Sequence, residues 1–400
     1  MQTIRTPKLV GSQQAIKYYA AFSEAFVEDI LCSLPLKAGG TILDPWNGSG
    51  TTTCVAHRLG FHTIGYDLNP AVLMLAQARL ATLDEVTQAE TLLKKHFDAT
   101  VKKRCTVPLP LLHDWFLPQS VKVLEALKAS IMAAQYPPTL QALIDTSFTT
   151  ALRQALHAFR SSNPTWIKKA KTPEELVALD KPCFKDHCFN FLSQLKKSLS
   201  TRESTHPKAS AILKCANSHT LPLDHESVDA IITSPPYCTR IDYAIATRVE
   251  LAWLGLSEEA LTHLRTHLIG TPTVKGALLS VPTMPNAVHE LLETIKHHPS
   301  KASSGYYYKT YLRFFISMQH SFKELHRVLK PKGSLCLVVQ NSFYKEIPID
   351  LSKLFQAMLE QEGFELLNTP LTYPAKGLNF IHGHKTLEEV ALTCRKTEVS

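Results

Sequence analysis

Short apolar runs that stop at Asp, Gly or Pro alternate with helical stretches through the first hundred residues, and this alternation restricts the fold more than any other feature. Thr41-Ile42-Leu43 reads as a strand, Thr52 to Leu59 as a helix closed by Gly60, and Phe61 to Tyr66 as a second strand ended by Asp67. Pro70, a residue tolerated in a helix's first turn, starts a helical pattern that runs to Phe97. Another helix, Gln13 to Leu34, precedes the first strand and ends at Pro35 and Gly39-Gly40. Strand, helix, strand, helix predicts a parallel α/β sheet.

The alternation stops near Thr100 and resumes at Ala211 to Cys215. Between them the pattern is mostly helical, broken at Pro108, Pro110, Pro137-Pro138, Pro164, Pro173 and Pro182. A second interruption runs from Cys238 to about Tyr306, followed by a helix from Tyr308 to Leu329 and an apolar strand from Ser334 to Val339. A helix from Leu351 to Glu362 and strands at Phe364 to Leu367 and Glu388 to Thr393 complete the reading. The expected organisation is an α/β domain in two parts, 1–99 and 211–400, with a helical insertion at 100–210 and a smaller one at about 238–306.

Charge is distributed unevenly. The net charge is +8, and residues 101–210 hold 16 Lys and Arg against 8 Asp and Glu while the remainder is balanced at 27 against 27. A neutral scaffold with one basic segment suits contact with a polyanion, and a solvated surface without a partner has the same composition. Nine cysteines, an odd number without a repeated spacing, point to reduced thiols. The segment from Cys183 to Cys188 lacks paired-ligand spacing, so no metal is expected. No stretch approaches the roughly 20 apolar residues of a membrane span, and no apolar leader is visible at the amino terminus, so a cytoplasmic protein is expected.

Two segments carry chemistry. Asp44-Pro45-Trp46-Asn47-Gly48-Ser49-Gly50-Thr51-Thr52 is a strand-to-helix turn whose glycines permit close ligand approach. It is not a Walker-type phosphate loop, because Thr51-Thr52 stands where Lys and Ser/Thr are needed. Asp67, ending the next strand, is placed to meet a ribose diol or to cap the helix that follows. The second segment, Ser227 to Tyr237, is an apolar strand that delivers Ser234-Pro235-Pro236-Tyr237, and a proline pair cannot continue a central strand.

Taken in order, DPWNGSGTT, GYDLNP, NSHTLPLDHESVDAIITSPPY and HRVLKPKGSLCLVV resemble the motifs of class I methyltransferases dependent on S-adenosylmethionine. More narrowly they are similar to DNA amino-methyltransferases, and the Ser-Pro-Pro-Tyr form resembles that of the cytosine-N4 enzymes. The resemblance covers roughly half the chain. It implies a Rossmann-like, seven-stranded, mostly parallel sheet carrying a largely helical insertion. It also implies S-adenosylmethionine as cofactor and double-stranded DNA as partner, with a cognate restriction endonuclease in the background. Asp44, Pro45, Trp46, Gly48, Gly50, Thr51, Asp67 and Asn217 are then the cofactor residues, with Asn217 standing where relatives usually have Asp. Ser234, Pro235, Pro236 and Tyr237 are the catalytic ones. Related alternatives are an adenine-N6 DNA enzyme and a guanine-N2 tRNA enzyme.

Outside these motifs, Arg160 to Lys169 mixes cations, an amide and an indole, which suits phosphate contact and equally a solvated helix end with a buried Trp166. Arg240, Asp242, Tyr243, Arg248 and the run Tyr306 to Lys309 are candidates to hold a displaced base or simply to pack. Cys238 lies outside the position that the catalytic motif uses, and the reaction needs no covalent intermediate.

Overall fold

The computed structural model describes residues 4–7, 16, 23–98, 106–161, 166–200, 209–238, 241–271, 280–375 and 387–397. In chain order the first elements are α1 (Glu24–Ser33), β1 (Thr41–Asp44), α2 (Thr51–Arg58), β2 (His62–Asp67), α3 (Pro70–Arg79) and α4 (Leu83–Asp98). Helices α5 (Pro118–Ala133), α6 (Pro138–Ala155) and α7 (Lys181–Ser200) precede β3 (Ala211–Cys215) and β4 (Val228–Thr233). After these come α8 (Tyr243–Ala246), α9 (Arg248–Trp253), α10 (Glu258–His267), α11 (Asn286–His297) and α12 (Tyr308–Val328). The carboxyl-terminal part holds β5 (Leu329–Gln340), β6 (Ser342–Tyr344), β7 (Ile347–Ile349), α13 (Leu351–Gln361), β8 (Phe364–Leu366), β9 (Leu371–Ala375) and β10 (Leu387–Lys396).

The sheet runs β3-β2-β1-β4-β5-β10-β8. Its first five strands are parallel, and β10 lies antiparallel to both neighbours. This is the expected class I methyltransferase architecture, with one addition. The ten-residue β10 is long enough to pair β8 through Cys394 to Lys396 and an eighth strand, β9, through Leu387 to Ala391. A second difference is the break at Leu80–Thr82 in what the sequence pattern reads as one helix. Thr82 caps α4 reciprocally: Thr82 N donates to Glu85 Oε2 at 2.8 Å, and Glu85 N donates to Thr82 Oγ1 at 3.2 Å.

Side chains alternate between the two faces of the strands, as the period of two requires. Ile42, Ala230, Ile232, Cys336 and Val338 point to a layer with Phe26, Ile30 and Val55 of α1 and α2. Leu43, Ile231, Leu335, Leu337 and Val339 point to the opposite layer, against Phe315, Phe322 and Phe355 of α12 and α13. Each fully buried Phe contributes about 2 to 3 kcal/mol by the area it removes from water.

A third apolar cluster belongs to the helices. Phe116, Leu124, Leu143, Phe148, Phe184 and Leu192 of the 106–200 segment share it with Leu75 of α3, Val86 and Leu93 of α4, and Trp253 of α9. Phe148 stacks on Trp253 with ring centroids 4.7 Å apart. The helical block therefore draws on the chain before residue 99 and after residue 238. No described helix is long and apolar enough to cross a membrane.

Candidate active site

Strand order reverses between β1 and β4, and an open parallel sheet offers its ligand crevice where order reverses, beyond the carboxyl ends of the strands. A cleft of about 730 Å³ occupies that place. Its wall takes Pro45, Trp46 and Gly48 after β1, Asp67 to Asn69 at the end of β2, Ala216 to Ser218 after β3, and Ser234 to Tyr237 after β4. Tyr243, Leu268 and Ile269 close it from the segment beyond Ser234 to Tyr237. Nine of the twelve residues singled out from sequence thus come together on one surface: Pro45, Trp46, Gly48, Asp67, Asn217, Ser234, Pro235, Pro236 and Tyr237.

Asp44, Gly50 and Thr51 are not among the lining residues and stand behind the wall. Asp44 is buried, and its Oδ1 accepts the Thr233 hydroxyl at 2.6 Å and the Trp46 N–H at 3.2 Å. It therefore ties the loop after β1 to the strand that carries Ser234 to Tyr237. Thr51, also buried, receives a bond from Arg79 at 3.3 Å. Gly50 sits at φ +80°, and a Cβ there would lie 2.7 Å from the Ala76 Cβ, so glycine is required for α2 to start against α3.

Asp67 is on the wall. Its Oδ2 accepts the Gly48 N–H at 3.0 Å and its Oδ1 the Asn69 N–H at 2.9 Å. The helix cap is Asn69 instead, whose side chain accepts from Ala71 N. The Asp67 carboxylate keeps acceptor capacity for a further donor. Burial pushes its carboxyl up to about 6, against the pull of the backbone N–H groups of Asn69, Gly48 and Leu68. Burial likewise pushes Asp44 up to about 7, against the bonds from Thr233 and Trp46. Asn217 accepts the His219 N–H at 3.0 Å through its side-chain oxygen.

The proline pair ends β4 as expected, the last paired residue being Thr233 opposite Leu337. Tyr237 N then donates to the Tyr243 hydroxyl at 3.1 Å. Thr247 Oγ1 donates to the Tyr243 carbonyl at 2.9 Å and accepts from Asn69 Nδ2 at 2.9 Å. A chain of bonds therefore runs from Asp67 through Asn69, Thr247 and Tyr243 to Tyr237, joining the two sides of the cleft. Sequence reading named Tyr243 among several candidates; Asn69 and Thr247 were not singled out, and Asn69-Pro70 at a helix start was the available signal.

The remaining candidates are mostly structural. Asp242 caps α8 and pairs with Arg265 at 2.7 Å, while Arg248 pairs with Asp114 at 2.7 Å and also with Glu258. Tyr306, Tyr307 and Tyr344 pack on one another, and Lys296 lies over the Tyr308 ring. Trp166 is exposed rather than buried, and Lys169 pairs with Asp114 and Glu258. Arg240 and residues 162–165 lie outside the described residues.

The family model described as DNA methylase matches residues 5–78 and 228–400, leaving out the whole 106–200 helical segment. Type II methyltransferase M.AvaI of Nostoc is 24% identical over 415 residues, spanning 95% of this chain and 85% of its own. Type II methyltransferase M.BsoBI of Geobacillus stearothermophilus is 26% identical over 280 residues, spanning 62% of this chain. The match covers about half, 54%, of that relative's length. A SAM-dependent methyltransferase structure from Methanosarcina mazei covers 91% of this chain and 95% of its own at 11% identity and a TM-score of 0.33.

S-adenosylmethionine is the cofactor that goes with this fold, and the cleft fits it. An acid with spare acceptor capacity ends β2, an amide follows β3, and Trp46, Leu68 and Val72 give apolar walls for a purine. The Trp46 indole Nε1 is a buried donor with no partner among the described residues.

Proposed function

This chain belongs to the DNA methylase family, and on that premise we propose that it methylates the exocyclic N4 amine of cytosine in duplex DNA after swinging the base out of the helix. The observation that carries this reading is that Ser234 to Tyr237 face the same cleft as Asp67 and Asn217. S-adenosylmethionine supplies an electrophilic methyl group on a sulfonium. Asp67 accepts from the ribose hydroxyls, and Asn217 meets the adenine edge.

An exocyclic amine is a weak nucleophile because its lone pair is delocalised into the ring. Ser234 Oγ and the Pro235 carbonyl accept its two hydrogens and favour a tetrahedral nitrogen, while the two prolines fix the loop before the base arrives. Tyr237 stacks on the displaced base. Unstacking costs a few kcal/mol, and aromatic stacking returns roughly 1 to 3. The two named relatives are Type II methyltransferases, which supports a setting in which this enzyme protects cytoplasmic DNA from a cognate restriction endonuclease.

The test is incubation with methyl-labelled S-adenosylmethionine and, separately, duplex DNA and total tRNA, followed by digestion to nucleosides and mass spectrometry. N4-methylcytosine in DNA is the expected product. N6-methyladenine in DNA would change the base assigned to the cleft, and methylated guanine in RNA alone would overturn the DNA reading.

A further inference from the structure

A second hollow, of about 380 Å³, lies behind the strap formed by residues 266–271. Leu268 and Ile269 line this hollow and also the main cleft, so the two spaces share a wall. The strap is pressed against the catalytic loop: at Gly270, φ +76°, a Cβ would stand 2.8 Å from the Tyr237 carbonyl oxygen. The polar lining is Thr266, His267, Thr271, Thr310, Arg313 and Ser317, with no Asp or Glu. Thr266 and Thr310 direct their hydroxyls to the carbonyls of His263 and Tyr306, at 2.7 and 2.8 Å. Arg313 carries the permanent charge among the lining residues.

We propose that this hollow binds a phosphodiester of the strand that carries the target base, with Arg313 as its ligand. The inference rests on the DNA reading above. A base held against Ser234 to Tyr237 remains tethered to its own backbone, so a neighbouring phosphate must lie just outside the base-binding side of the cleft. A hollow sharing that wall, free of carboxylates among its lining residues and supplied with a guanidinium, has the required chemistry. The planar fork of Arg matches two phosphate oxygens, which a lysine ammonium cannot do.

The experiment is a scan of duplexes in which single phosphates around the target cytosine are replaced by neutral methylphosphonates, with binding measured for wild type and Arg313→Gln. One replacement next to the target is expected to weaken wild-type binding about tenfold. Arg313→Gln is expected to lose the same factor on unmodified DNA, to lower the salt slope by about one, and to be indifferent to that one replacement. Affinity for S-adenosylmethionine stays at the wild-type value. If Arg313→Gln keeps the full wild-type sensitivity to that replacement, or no phosphate near the target matters to wild type, the site is wrong while the DNA reading stands. If wild type neither binds nor methylates DNA, the DNA reading falls and this site with it. Arg313→Lys, which keeps the charge and loses the fork, serves if the glutamine variant does not fold: it is expected to keep the salt slope and to bind unmodified DNA more weakly than wild type, and wild-type affinity would overturn the fork's role.

Discussion

Buried charge is treated in opposite ways at the sheet end and in the helical block. At the sheet end, Asp44 and Asp67 are held by a threonine hydroxyl and backbone N–H groups, with no Lys or Arg in ion-pair contact among the described residues. In the helical block, buried ions are matched. Lys128 meets Asp145 at 2.8 Å with the Trp253 indole on the same oxygen at 2.7 Å, and Arg153 grips both Glu250 and the Ala246 carbonyl. A matched pair largely offsets its own desolvation and acts as a joint between elements. An unmatched buried acid keeps that cost until a donor or cation arrives, so where it lines a cleft, as Asp67 does and Asp44 does not, it marks a place for a ligand.

The contrast can be broken or sharpened by substitution. Arg153→Met should have the largest effect, a loss of about 3 to 5 kcal/mol in urea unfolding, because it strands Glu250 without its partner. A loss under about 1 kcal/mol would mean that this joint is ornamental. Ser234→Ala and Tyr237→Ala should each reduce methyl transfer by about 100-fold while cofactor affinity stays within a few fold. Unchanged turnover in both would remove the active-site assignment. Asp67→Ala should weaken S-adenosylmethionine by about 10- to 100-fold in calorimetry, since a hydrogen bond to a charged group is worth about 1.5 to 3 kcal/mol. Wild-type affinity would take Asp67 out of the ribose role.

Tyr243→Phe removes the acceptor for the Tyr237 N–H and should lower kcat by about tenfold, with cofactor affinity unchanged. The smallest effect is expected with pH. Burial raises the carboxyls of Asp44 and Asp67 from the usual 3.8 to about 7 and about 6, so between about pH 4 and 7 the folded chain holds more protons. Stability of the cofactor-free protein should therefore fall as pH rises through that window. Asp44→Asn keeps an acceptor oxygen for Thr233 and Trp46 and should flatten the upper part of this fall, as read from urea midpoints between pH 5 and 8. An unchanged slope would show that Asp44 is ionised throughout.

Strand positions and the contents of the cleft were legible because they depend on local punctuation. Asp67, Asn69-Pro70 and Pro235-Pro236 stop their strands whatever surrounds them, and a parallel sheet collects those stops at one end. What a charge count misses is partnership across distance. The cations at 101–210 read as a surface for a polyanion, yet Lys185 pairs with Asp98, Lys196 with Glu90, Arg153 with Glu250 and Lys169 with Glu258, all acids outside that segment. Part of the apparent basic face is thus internal fastening. Exposed Arg160 and Lys168 have no such acid among the described residues. The break at Thr82 was missed for another reason: apolar periodicity outweighed the Thr82 and Glu85 capping signal.

The order of the sheet also sets a timetable for synthesis. Central strand β1 pairs with β2 at once, but its other neighbour, β4, begins at Val228, well over a hundred residues later. At about 5 to 20 residues per second, a ribosome leaves that edge open for roughly 10 to 40 s. During this delay the helical block emerges and can gather its own apolar residues, while the nascent chain carries an unpaired strand edge and half a cofactor site. A polypeptide released before β4 would retain that open edge, a template for aggregation rather than a smaller version of the enzyme.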